Sequence, residues 1–100
     1  MSYRLIPSKR FIKAAKKYKR SGRLHVLETA EEVIKLLVTH DRSSLIILAD
    51  MWRDHPLKGD KAGIRELHLG FDDLLLYKVD IEGRVIELLD IVSHDELSKW

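Results

Sequence analysis

The chain has 100 residues, 45% hydrophobic and 34% charged, a balance that belongs to an ordered domain with room for one hydrophobic core and not two. It contains no cysteine, which excludes disulfides, thiolate metal sites and cysteine nucleophiles and fits a reducing compartment. No apolar run approaches the roughly 20 residues of a membrane span, and the opening Met-Ser-Tyr-Arg-Leu-Ile-Pro lacks a signal-peptide core, so the expectation is one cytoplasmic domain over residues 1–100 with no membrane contact.

The net charge of +2 hides a strong asymmetry. Residues 1–27 carry nine basic side chains and no acid, whereas the other nine basic residues share the rest of the chain with all 16 acidic ones. A basic arm of this kind suits a polyanion or an acidic protein partner, and equally a solvated lysine-rich face.

In chain order, Tyr3 to Ile6 reads as a strand stopped by Pro7. Ser8 then caps a first helix whose apolar positions Phe11, Ile12, Ala15 and Tyr18 alternate with lysines, and Ser21-Gly22 ends it. A second helix covers about Arg23 to Val38 with Leu27, Ala30, Val33, Ile34 and Leu37 inward, although Thr29 and Glu32 have capping-box spacing that would start it later. Leu45, Leu48, Ala49 and Trp52 predict a short third helix. His55 to Gly63 reads as a loop, punctuated by Pro56, Gly59 and Gly63.

Three strands follow, at Ile64 to Leu69, Leu74 to Asp80 and Arg84 to Asp90, with connections of hairpin length. Helices first and a meander after them predict an α+β layer: a small antiparallel β-sheet with the N-terminal helices packed on one face and the other face open for a cleft.

Histidine is the usual general acid or base near neutral pH, and three of the five here, His55, His68 and His94, fall on loops or strand ends of the C-terminal half. His25 and His40 are read as surface or structural residues. Around the first three, the chain reads Asp54-His55-Pro56-Leu57-Lys58-Gly59, Gly63-Ile64-Arg65-Glu66-Leu67-His68, Asp72, Leu75-Leu76-Tyr77-Lys78 and Ser93-His94-Asp95-Glu96-Leu97. With these five elements in this order, residues 54–97 resemble the YafQ branch of the RelE superfamily of bacterial toxins.

The resemblance implies a RelE-like microbial ribonuclease fold and a toxin of a type II toxin-antitoxin system. It implies an endonuclease that cuts mRNA on the ribosome, without cofactor, and that is held inactive in an oligomer with a cognate antitoxin. It also implies that His55, His68, Asp72 and His94 form the active site. The residue types suit the chemistry, because cleavage through the 2′-hydroxyl needs a proton acceptor, a proton donor and cationic support for the phosphorane, all of which imidazoles supply without metal. On this reading His94 is general acid or base, His55 or His68 its complement, and Asp72 orients an imidazole.

Arg65, Lys58 and Lys61 are candidate phosphate ligands, although strand alternation sets Arg65 on the opposite face from His68. Three residues depart from the family pattern. Asp73 stands where an aromatic is common, Asp90 where an arginine precedes the last motif, and Ser98 where a Phe is common, which leaves Trp100 to supply a stacking ring. An extra carboxylate beside the scissile phosphate would repel it, so the alternative is a catalytically weakened RNA- or antitoxin-binding module. A metal-dependent hydrolase built on His55, His68, His94 and Asp72 is the other alternative, unsupported by any compact H-E-x-x-H spacing. The expected cleft holds no tight metal site.

Overall fold

The computed structural model describes residues 2–100. The elements run β1 (Arg4–Pro7), α1 (Lys9–Arg20), α2 (Leu24–Thr39), α3 (Arg42–Trp52), β2 (His55–Pro56), a 3-10 turn at Gly59–Lys61, β3 (Arg65–His68), β4 (Asp73–Asp80), β5 (Val85–Ser93) and α4 (His94–Ser98). The class is α+β, as the order of elements predicts. One five-stranded sheet is formed in the order β1-β5-β4-β3-β2, antiparallel throughout except that β1 lies parallel to β5 at the edge. Among the described residues no helix is long and apolar enough to cross a membrane.

Helix boundaries follow local chemistry. Ser8 accepts the Phe11 amide at 3.0 Å and starts α1, while its own hydroxyl donates to the Leu89 carbonyl of β5 at 2.9 Å, so the cap also fixes the helix to the sheet. Asp41 caps α3 through the Ser44 amide at 2.8 Å. The Thr29 capping box does not form, because α2 already runs from Leu24 and Thr29 donates back to the His25 carbonyl within it. In α1, Phe11, Ala14 and Tyr18 face inward and Ile12 is exposed; in α3, Leu48 is buried and Leu45 is not.

β4 carries the fold. Leu67, Leu75, Tyr77, Ile86, Leu88 and Ile91 form the main core with Tyr18, Val26, Ala30, Val33, Leu37 and Leu48 of the helices. Leu74 and Leu76, on the other face of β4, are also fully buried, in a second cluster with Ile64 and Val92 that Leu57, Leu89, Leu97 and Trp100 cover. That face is therefore half closed, where the sequence reading leaves it open. The Leu74-Leu75-Leu76 run is what burial on both faces requires. Opposite Leu76 and Tyr77, β5 inserts Leu89 as a bulge, which keeps Leu88 and Ile91 both on the helix side despite their odd separation.

At the start of β4, Asp73 is buried and accepts the Tyr18 hydroxyl at 2.8 Å and two contacts from Arg23, both 2.8 Å. This cluster ties the α1–α2 junction to the sheet. Removal of Asp73 strands a buried hydroxyl, so Asp73→Ala should cost about 1–3 kcal/mol of unfolding free energy. Tyr18→Phe added to Asp73→Ala should then cost less than the two single changes together, a coupling that a denaturant-melt double-mutant cycle reads directly.

Candidate active site

Cross-strand register builds the site. His55 of β2 faces Glu66 of β3, Glu66 faces Leu76 of β4, and Leu76 faces Asp90 of β5, so these four side chains form one row on the face away from the helices. The next row is His68, Leu74 and Val92. His55 and His68 are thus neighbours at the β2–β3 edge, with ring centroids 5.8 Å apart.

His94 joins them from the far end of β5. The strand runs three residues beyond its predicted end at Asp90, to Ser93, which pairs with Asp73 and caps α4. A full capping box between Ser93 and Glu96 fixes the first turn of α4 and leaves the His94 ring 5.6 Å from that of His68. Asp72, at the tip of the β3–β4 hairpin, accepts His94 Nδ1 at 2.9 Å and the His94 amide at 3.3 Å. The structure therefore brings His55, His68, Asp72 and His94 together. Glu66, absent from the sequence-derived set, lies among them, 7% exposed, its Oε2 2.7 Å from His55 Nε2 and 3.8 Å from His68 Nε2.

Each imidazole is differently held. His55 Nδ1 is 2.6 Å from the Arg53 carbonyl, presented by the left-handed turn at Arg53 (φ 53°) that ends α3. A carbonyl only accepts, so Nδ1 carries hydrogen. His94 Nδ1 donates to the Asp72 carboxylate, which points its Nε2 away from that partner. Burial lowers the His68 pKa below its usual 6.5, and the His94, Arg53 and His55 charges push the same way while Glu66 opposes them. The Asp72 carboxyl is lowered below 3.8, chiefly by the hydrogen bond from the His94 side chain.

The candidate phosphate ligands are scattered. Arg65 bonds Asp54 at 3.2 Å through both Nε and Nη2 and lies beside the Tyr77 hydroxyl on the helix face, so alternation places it away from the histidines. Lys58 is exposed beyond β2, and the Lys61 ammonium is 3.9 Å from Asp60. Trp100 is neither frayed nor open for stacking, since its Nε1 donates to Asp90 at 2.8 Å, its ring lies under Arg10, and it packs on the second core. Phe71, beside Asp72, is instead fully exposed, on a groove of about 450 Å³ shared with Met51, Trp52, Arg53 and His68. The cue in the sequence was an aromatic placed between Gly70 and Asp72 at a hairpin tip.

The two extra carboxylates are both buried and paired. Asp73 is neutralised by Arg23 on the helix face, and buried Asp90 is held by Trp100 and by Arg10 at 3.2 Å. Ser98 donates to the Asp95 carbonyl within α4. Ligand atoms of His55, Glu66 and His68 all lie within 4.8 Å of one another.

Residues 3–99 match the model of the YafQ family, bacterial toxins of type II toxin-antitoxin systems. No curated relative matches by sequence. Among solved structures, a metal-bound toxin from Helicobacter pylori is 33% identical with a TM-score of 0.79, covering 95% of this chain and 98% of that one. YafQ from Escherichia coli strain BL21(DE3) superposes with a TM-score of 0.78 at 21% identity, over 95% and 97% of the two chains. The toxin chain in the E. coli DinJ-YafQ toxin-antitoxin complex gives 0.76 at 22%, over 97% and 98%.

The Asp72–His94 contact makes a direct claim on titration. In a carboxyl NMR titration the Asp72 midpoint should lie below 3.8, and His94→Ala should move it upward. A carboxyl held down in the folded state stabilises above its unfolded pKa and loses that contribution as pH falls through the folded value, so the wild-type advantage should disappear only below about pH 3.8.

Proposed function

The chain belongs to the YafQ family of toxins of bacterial type II toxin-antitoxin systems, and from that premise we propose that it is a ribosome-dependent mRNA endonuclease acting in the cytoplasm by metal-free acid/base catalysis. The observation that carries this reading is the placement of three imidazoles side by side, the outer one oriented by a carboxylate. Four unrelated polar residues separated by about forty positions have no packing reason to converge.

The division of labour follows from the contacts. His94, its Nδ1 donated to Asp72, presents Nε2 to substrate, and from that position it protonates the departing 5′-oxygen. His68, its neighbour, accepts the 2′-hydroxyl proton. The 2′-oxygen attacks phosphorus, the P–O5′ bond breaks, and the products are a 2′,3′-cyclic phosphate and a 5′-hydroxyl. His55, engaged by the Arg53 carbonyl and Glu66, acts here as a positioning residue for this edge of the site. Lys58 and Lys61 supply positive charge along the RNA path, and Phe71 offers a stacking surface, worth about 1–3 kcal/mol per base. Arg65 is reassigned to structure by its ties to Asp54 and Tyr77. Burial of Asp73 and Asp90 removes the chief support for a weakened module.

The antitoxin partner has a matching surface. Arg10, Lys13, Lys17, Arg20 and Arg23 line one side of a groove of about 720 Å³, facing Asp90, Ile91 and Val92 on the edge of β5 beyond the reach of β1. An acidic antitoxin segment lying along this groove would satisfy both the basic helix and the apolar floor.

Two experiments follow. Expression of the chain alone should arrest growth by cutting translated mRNA; His94→Ala should lose at least about 100-fold in cleavage, the scale of a general acid, while its circular dichroism stays that of the wild type. Cleavage should persist in chelator, leave cyclic phosphate ends and follow a bell-shaped pH profile; full activity in the Ala variant would reject the assignment of His94. For the partner, affinity of the cognate antitoxin should fall as salt rises, since exposed charges are screened over about 8–10 Å, and Lys13→Glu with Lys17→Glu should flatten that dependence. Indifference to salt would reduce the basic stretch to a solvated face.

A further inference from the structure

Phe71 raises a problem that the fold does not solve. Its ring is fully exposed at the tip of the β3–β4 hairpin, although a phenyl ring is among the side chains that gain most from burial. Met51, 69% exposed, and half-buried Trp52 stand across from it at the C-terminal end of α3. β2 pairs only with Arg65 and Glu66, which leaves the β3 edge from Leu67 onward with no strand beside it. The groove of about 450 Å³ lies there, between the hairpin tip and α3.

The polar lining narrows what can fill it. Asp50 and Arg53 both border the groove, no ion pair joins them, and among the described residues neither side chain has a hydrogen-bond or ion-pair partner. A carboxylate only accepts and a guanidinium only donates. Of the RNA bases, guanine alone presents two adjacent donors on one edge, N1–H and N2–H2, and two adjacent acceptors, O6 and N7, on another. The rings and the thioether supply faces on which a base stacks. Continuity favours a base over a protein side chain, because His68 borders both the groove and the catalytic cluster, its ring 5.6 Å from that of His94.

We propose that this groove binds a guanine base, stacked on Phe71, with Asp50 accepting from N1–H and N2–H2 and Arg53 donating to O6 or N7, and that this base belongs to the nucleotide 5′ of the bond that is cut. The groove itself stands on exposure and lining. The placement rests on the acid/base reading above, in which His68 takes the 2′-hydroxyl proton: that hydroxyl belongs to the nucleotide 5′ of the scissile phosphate, and the groove includes His68 and not His94. Phe71 and Asp50 are then residues that set specificity, and neither takes part in proton transfer.

The probes are the four nucleoside 3′-monophosphates, added separately to the full chain, since each carries base and phosphate as they stand on the 5′ side of the cut. Guanosine 3′-monophosphate should bind at least about tenfold more tightly than the other three, the scale of one bidentate contact, and the NMR signals of Asp50, Arg53 and Phe71 should move first. Phe71→Ala should weaken all four by at least about fivefold, and Asp50→Asn should remove the guanine preference. Ile81→Ala, on the exposed β4–β5 turn, should change neither. Equal affinity for the four nucleotides overturns the guanine assignment. Signals that move only outside the groove, or no binding at millimolar concentration, overturn the site; both are read on the wild type and so do not depend on a variant folding. A Phe71→Ala chain that loses antitoxin affinity and keeps its nucleotide affinity assigns the ring to the protein partner and overturns the site as well. In RNA, cuts should fall 3′ of guanine and lose that bias in Asp50→Asn; cuts indifferent to the preceding base overturn the placement. Absence of cleavage in any RNA rejects the acid/base reading and the placement with it, while nucleotide binding still decides the groove.

Discussion

Leu76 can reach the second core only if β4 takes one register against both its neighbours, and that register sets Glu66 on one side of it and Asp90 on the other. A slip of one residue would turn Leu74 and Leu76 to the helices, Leu75 and Tyr77 to the opposite face, and Glu66 and His68 away from His55. The hydrophobic demand of one central strand thus determines where two histidines stand. Four apolar side chains of β4 at essentially zero exposure, each worth about 1.5–3 kcal/mol on burial relative to exposure, hold the register far more firmly than any contact inside the site.

Charge is handled by the same economy of faces. Three buried or half-buried carboxylates flank the sheet, and each has cationic partners: Asp54 with Arg65, Asp73 with Arg23, Asp90 with Arg10. Breaking such a pair leaves an uncompensated charge at low dielectric, so these acids hold particular arginines in place. Arg10 and Arg23 belong to the basic stretch, which means that the stretch is not simply a solvated face: part of it is built into the junction of helices and sheet. The lysines between them remain outward, and the charge asymmetry visible in the sequence survives as a property of one groove. Glu66 is the exception, because its neighbours are imidazoles and not permanent cations.

Long elements with one strong period were legible from the residues. The stripe of α2, the three C-terminal strands and the α+β order all follow from apolar spacing, and the separation of Arg65 from His68 follows from alternation alone. What escaped depends on contacts distant in sequence. The parallel pairing of β1 with β5 brings the two ends of the chain together, and no local pattern encodes it. The two residues of β2 are too few to show any period; pairing with β3 makes them a strand. Two capping boxes shared one pattern, Thr29-x-x-Glu32 and Ser93-x-x-Glu96. The first is overridden because α2 already runs through it, and the second forms because β5 must end there. The convergence of the histidines was implied only by family resemblance, and Glu66 among them was invisible, since a glutamate in a strand ordinarily points to solvent.

The site is assembled from the shortest pieces of the fold. His55 sits on a two-residue strand, Asp72 on a hairpin tip, His94 on a helix of five residues, and only His68 and Glu66 on a strand paired along both edges. Short elements carry little cooperative stability of their own and open at lower cost than a core. Their positions therefore depend on particular polar contacts: Arg53 to His55, Asp72 to His94, Ser93 to Glu96. Such an arrangement separates two tasks. The core can tolerate substitutions that keep volume and register, while the histidine cluster depends on a few exposed contacts at the sheet's edge. Whatever engages those exposed atoms need not unfold the protein to displace them, because the sheet keeps the surrounding strands in register.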